Sequence, residues 1–184
     1  TGQELTGLTL EMDETVELAI REGSVALDAF GFVALAGSFT LVKQTGVAIN
    51  DGNLASFQAD VMSLSITAGG FAGVGGSLDA LNDSGADVIV AEDAIGFKVP
   101  EALLDLVLVT SQATPANKYT GLQVGLTNVG LVGMPADFGL TVSGQIQVNK
   151  GPASGRLDWT AVTGGTNELP DVTLAIDETV ELAI

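Results

Sequence analysis

The chain is expected to be all-β, built as an elongated solenoid-like or stacked-sheet repeat unit, with a β-sandwich as the alternative. Three observations support this: period-2 alternation through most of the chain, glycine- and Asx-rich separators, and a sequence motif that occurs at both ends. Successive side chains of a strand point to opposite faces, so alternation marks half-buried strands.

The clearest alternation lies at residues 140–150. There Leu140, Val142, Ile146 and Val148 share one side, while Thr141, Ser143, Gln145, Gln147 and Asn149 share the other. One side is expected to be buried and the other wet. Further strands are expected at about 24–29, 31–43, 56–67, 87–92, 104–110, 121–132 and 156–161. After Phe57 the apolar phase shifts from Phe57, Ala59 and Val61 to Met62, Leu64 and Ile66, as a β-bulge would produce. Separators are expected at 50–53, 69–70, 75–76, 82–85 and 164–165, where Gly and Asx supply turn conformations. A short helix near residues 100–106 would place Pro100 at its first position, although 103–109 is also compatible with a strand. Trp159, the single tryptophan, reads as a core anchor.

The repeat is the most informative feature. Residues 4–20 read ELTGLTLEMDETVELAI and residues 168–184 read ELPDVTLAIDETVELAI, with 12 of 17 positions identical at an offset of 164. Residues 1–184 therefore read as a single all-β repeat unit with a 164-residue period, in which 168–184 begin the next unit. Val172, Leu174, Ile176, Val180, Leu182 and Ile184 share one parity, which Glu178 interrupts, so a corner, a bulge or a solvent-facing end is expected there and at Glu14. A fainter likeness links residues 35–43 (LAGSFTLVK) to 142–150 (VSGQIQVNK), suggesting two related meander modules.

Composition excludes several functions. Twenty-three acids against 6 basic residues give a net charge of −17, which repels nucleic acid and anionic lipid. No apolar run approaches the ~20 residues of a membrane-spanning helix. The chain has neither Cys nor His, which removes thiolate and imidazole chemistry. The paired acids Asp13/Glu14, Glu92/Asp93 and Asp177/Glu178 are neighbours that point to opposite strand faces, so no glycosidase pair is expected and no catalytic residue is assigned. Calcium is the one candidate cofactor. Asp79, Asn82, Asp83 and Asp87 cluster around Gly85, and Asp51 lies in a second Asx-rich turn; such turns supply the hard oxygen ligands that Ca²⁺ takes. An ordinary Asx turn without an ion is the competing reading.

The phrases FGFVALAGSFTLVK, GFAGVGGSLDALNDSGADVIV, KYTGLQVGLTNVGLVGM and GRLDWT are similar to repeats of very large bacterial surface or secreted proteins, which carry tandem acidic, Gly- and Val-rich β units. The resemblance covers most of the period and carries over no catalytic residues. It implies an extracellular or cell-surface structural or adhesive role. The expected partner is the chain itself, as a head-to-tail homopolymer or as tandem repeats of one giant chain. Val16, Leu18 and Ile20 would meet Val180, Leu182 and Ile184 at the junction. Competing functions are a Ca²⁺-dependent adhesion or carbohydrate-binding module and a lipid-carrying β groove.

Overall fold

A computed structural model describes residues 14–79, 87–135, 137 and 139–183. Seven strands form one antiparallel open sheet in chain order: β1 (Val16–Ala29), β2 (Val33–Ile49), β3 (Phe57–Leu78), β4 (Val88–Ser111), β5 (Lys118–Val132), β6 (Thr141–Lys150) and β7 (Leu182–Ala183). Sequential pairing keeps most connections short, the exception being residues 151–181 between β6 and β7. The β1–β2 turn is made at Phe30 and Gly31, which both take positive φ (59° and 64°), and Phe32 N–H donates to the Ala29 carbonyl at 3.0 Å.

The strands are longer than the separators suggested. β3 runs through Gly69-Gly70 and Gly75-Gly76, and β4 joins two expected strands across Pro100. Gly73 explains why glycine is needed inside β3: a Cβ there would lie 2.2 Å from the Ile95 carbonyl oxygen. No helix forms at residues 100–106. Pro100 instead lies where the β3–β4 register slips between Ala68 and Gly70, a position where a missing N–H costs little. The one helix among the described residues is a single turn, α1 (Trp159–Val162), in a segment expected to be a strand. Asp158 caps it, its carboxylate accepting from Thr160 N–H at 2.9 Å.

Cross-strand partners share a face, so the register divides the sheet into two. On one face, Val42, Ser63, Val107, Gly121 and Asn149 lie near the end covered by residues 151–180. There Val47, Ile49, Ala59, Val61, Val107, Val109 and Tyr119 pack against Leu157, Trp159, Val162, Leu169, Val172, Leu174 and Ile176. This is the core, and Trp159 is completely buried in it. Burying a side chain of this size contributes about 3 kcal/mol. Farther along the same face the residues turn polar: Thr40, Ser65, Asp105, Gln123 and Gln147 form the next row.

The opposite face is apolar over most of its length and turns polar only at one end, where Lys43, Thr120 and Lys150, and then Asp60, Thr110 and Lys118, stand. Ile20, Leu41, Leu64, Leu106, Leu122, Val148 and Leu182 form one row across all seven strands, without a break in pairing. The phase shift after Phe57 is thus no bulge in β3. The irregularity there lies in β2 between Gln44 and Val47, while residues 57–67 of β3 keep regular pairing. The apolar side changes because Ala59 and Val61 serve the covered face, whereas Met62, Leu64 and Ile66 serve the other. Residues 140–150 depart from their expectation too: residues 141–146 are exposed on both faces, and the buried residue is on the polar side. Polar Asn149 is fully buried, while Val142 and Ile146 on the apolar side are 48% and 43% exposed.

Candidate functional site

The two outer strands of the sheet are related by the repeat. Residues 16–20 open β1 at one edge, and their counterparts 180–184 contain β7 at the other. Both copies leave a turn before pairing begins: Glu14–Thr15 precedes β1, and Glu178–Thr179 precedes β7. The turn at Glu178 was expected. Asp177 holds it, its Oδ1 accepting from Thr179 N–H (2.8 Å) and Thr179 Oγ1–H (2.6 Å). Those bonds to the ionised form hold the Asp177 carboxyl below its ordinary value, the hydroxyl contributing most.

The second copy divides its work on either side of that turn. Val172, Leu174 and Ile176 alternate inward and seal the core, while Thr173, Ala175 and Asp177 are exposed. Beyond the turn, Leu182 pairs with Val148 and Ala183 with Gln147. In the first copy Leu18 pairs with Lys43, Ala19 with Val42 and Ile20 with Leu41. Leu18 and Leu182 therefore stand on the same, apolar face of the sheet, at its two opposite edges.

Of the expected junction residues, Val16, Leu18 and Ile20 lie on β1, with Leu18 and Ile20 exposed. Leu182 is 62% exposed at the other edge. Val180 is half-buried and packs at the rim of the core. Ile184 lies outside the described residues.

Polar contacts hold the sealing segment on the sheet. Arg21 reaches from β1 to Asp171, with Nε and one terminal nitrogen donating to the two carboxylate oxygens at 3.2 and 2.9 Å. Gln147 Nε2 donates to the Ala175 carbonyl at 2.8 Å, and Gln123 Oε1 accepts from Ala175 N–H at 3.2 Å. At the far end Arg156 pairs with Glu181 at 2.6 Å. None of these contacts was foreseen from composition; the partners lie far apart in the chain.

The expected calcium ligands fall at two places. Asp79 N–H donates to the Asp87 carbonyl at 2.8 Å, which brings these two together, but Asn82 and Asp83 lie outside the described residues. Asp51 lies beyond the opposite end of the 22-residue β3, so it belongs to a separate place. There it is buried and fully engaged. Its Oδ1 accepts from Asn53 and Leu54 N–H (3.1 and 2.8 Å), and its Oδ2 accepts from Asp158 N–H at 3.1 Å. This carboxylate ties the β2–β3 turn to the start of α1. Among the described residues no three acids gather as a metal cage would require.

No protein-family model, curated protein or solved structure matches this chain.

Proposed function

We propose that the chain is a structural repeat unit of an extracellular filament, sheath or adhesin stalk, joined head to tail by strand pairing. The observation that carries this reading is the double use of one motif. VELAI opens β1 and pairs with β2, and the same five residues at the other end contain the strand that pairs with β6. A strand able to pair on both of its sides is an inner strand of a longer sheet. The strand begun at Leu182 is then β1 of the following unit, and the sheet passes from unit to unit without an edge. The segment before it, with Val172, Leu174 and Ile176, closes the core of the preceding unit. The resemblance to bacterial surface repeats supplies the extracellular setting.

The test is hydrogen exchange on two copies joined at the 164-residue period. Amides of the strand containing Leu182 are expected to slow by about two orders of magnitude relative to a single copy, since both sides of the strand become paired. Unchanged exchange at that strand, with the two copies behaving as independent beads, would sink the reading.

A further inference from the structure

Among the described residues nothing covers the apolar face. Four rows follow the one that ends at Ile20 and Leu182. They are Gly23–Phe39–Ile66–Leu104–Val124–Ile146; Val25–Gly37–Ala68–Ala102–Leu126–Gly144; Leu27–Leu35–Gly70–Val99; and Ala29–Val33–Ala72–Phe97–Leu131. None of the 23 acids stands in these five rows. In a chain of net charge −17, a face this free of carboxylates is one where charge would be costly.

From the structure we infer that this face is an interface with a second copy of the same chain, packed face to face as a two-layer sheet. Three arguments choose that occupant. The first is area. Strands ~4.8 Å apart and rows ~6.8 Å apart give the five rows roughly 800 Å², which is about the area each partner contributes to a stable interface. The second is shape. Between Val25 and Leu126, the small residues Gly37, Ala68 and Ala102 form a trough beside the ridge of Phe39, Ile66, Leu104, Val124 and Ile146. A groove of about 240 Å³ runs along it with an entirely apolar lining, including Leu35, Ala68, Val99 and Leu126. A two-fold axis through the face sets the ridge of each copy into the trough of the other, as isologous contacts require. The third is charge: an uncharged face against its own copy brings no acids together, whereas a chain of net charge −17 repels anionic lipid headgroups. The contact is separate from strand pairing at the edges and does not depend on it.

The experiment uses the 184-residue chain, which has no cysteine. Ala102→Cys places a single thiol at the centre of the five rows. Its reaction with a soluble disulfide reagent is read against protein concentration, beside the sedimentation mass. The expected result is a dimer of 18.6 kDa chains, with thiol reaction slowed at least tenfold as the dimer forms. Adding Leu64→Glu and Leu106→Glu should return the mass to the monomer and the thiol to rapid reaction. Trp159, buried beneath the other face, reports by its fluorescence that this variant is folded; if it is not, Val124→Lys serves in its place. A thiol that reacts at one rapid rate at every concentration overturns the proposal. So does protection that appears only with phosphatidylcholine vesicles, which would assign the face to lipid. Edge-to-edge polymers with an open thiol defeat the face contact and leave strand pairing standing. A protected dimer that never lengthens does the reverse.

Discussion

Trp159 donates its indole N–H to the side-chain oxygen of Asn149 at 2.9 Å, and neither residue has any exposed surface. The amide nitrogen of Asn149 donates in turn to the carbonyls of Leu157 and Asp177, both at 2.9 Å. One side chain on β6 thus holds the tryptophan, the approach to α1 and the last turn before β7. Burying an amide is favourable only when its bonds are made, and here three are.

Asn149→Leu should therefore destabilise the fold by about 3–5 kcal/mol, since it leaves the indole N–H and two carbonyls buried without their bonds. Urea unfolding followed by Trp159 fluorescence measures this. A loss below ~1 kcal/mol would mean that water replaces the amide.

Gly121 lies directly under the same tryptophan. A Cβ there would stand 2.6 Å from Leu174 Cδ1 and 2.7 Å from Trp159 Cε2. Gly121→Ala is expected to cost about 1–3 kcal/mol by overpacking. Gly144, with nothing within 4 Å of its would-be Cβ, is the control on the apolar face. Gly144→Ala should not share that overpacking loss.

The Arg21–Asp171 pair is bidentate but partly exposed, with side chains 40% and 27% accessible. A double-mutant cycle with alanine at each position should give a coupling of about 0.5–1 kcal/mol. It should shrink as salt is raised. A coupling unaffected by salt would contradict a solvent-screened pair.

Asp105 lies buried in the polar row beside the core, and its burial raises the carboxyl above the ordinary 3.8, against the pull of the Ser65 hydroxyl. A raised folded-state pKa means that the native state holds the proton more tightly than the unfolded chain. Its stabilising contribution is fully present below 3.8 and is lost as pH rises through the folded value. Asp105→Asn should accordingly raise the Tm at pH 7, and the gain should vanish below that ordinary value. A gain that is the same at both ends of the titration would point to packing instead of ionisation.

The all-β class and the corner at Glu178 were legible in the sequence, because alternation and an acid at an inward parity are local signals. So was the anchoring place of Trp159. The faces were not. Residues 140–150 alternate cleanly, but which parity is buried depends on where residues 151–180 fold back, and that is a long-range matter. Pro100 and the paired glycines of β3 punctuate a sequence only when the strand is short; in a long sheet they mark bulges and close backbone approaches. The phase change between Val61 and Met62 was visible, and its meaning became clear only when the register assigned each parity to a different layer. Ala94 is buried although the residues on either side of it are exposed, and nothing in the local pattern foretold that.

The row joining Ile20 to Leu182 has a geometric corollary. Leu182 is the counterpart of Leu18, yet it stands level with Ile20. A sheet carried forward through that strand slips by two residues, ~7 Å along the strand axis, at every repeat. The slip is even, so in such a sheet each side chain would keep its face from one unit to the next. If units join in this way, they would climb like treads and the ribbon's long axis would run oblique to its strands, a built-in shear of the kind that sets strand tilt when a sheet closes.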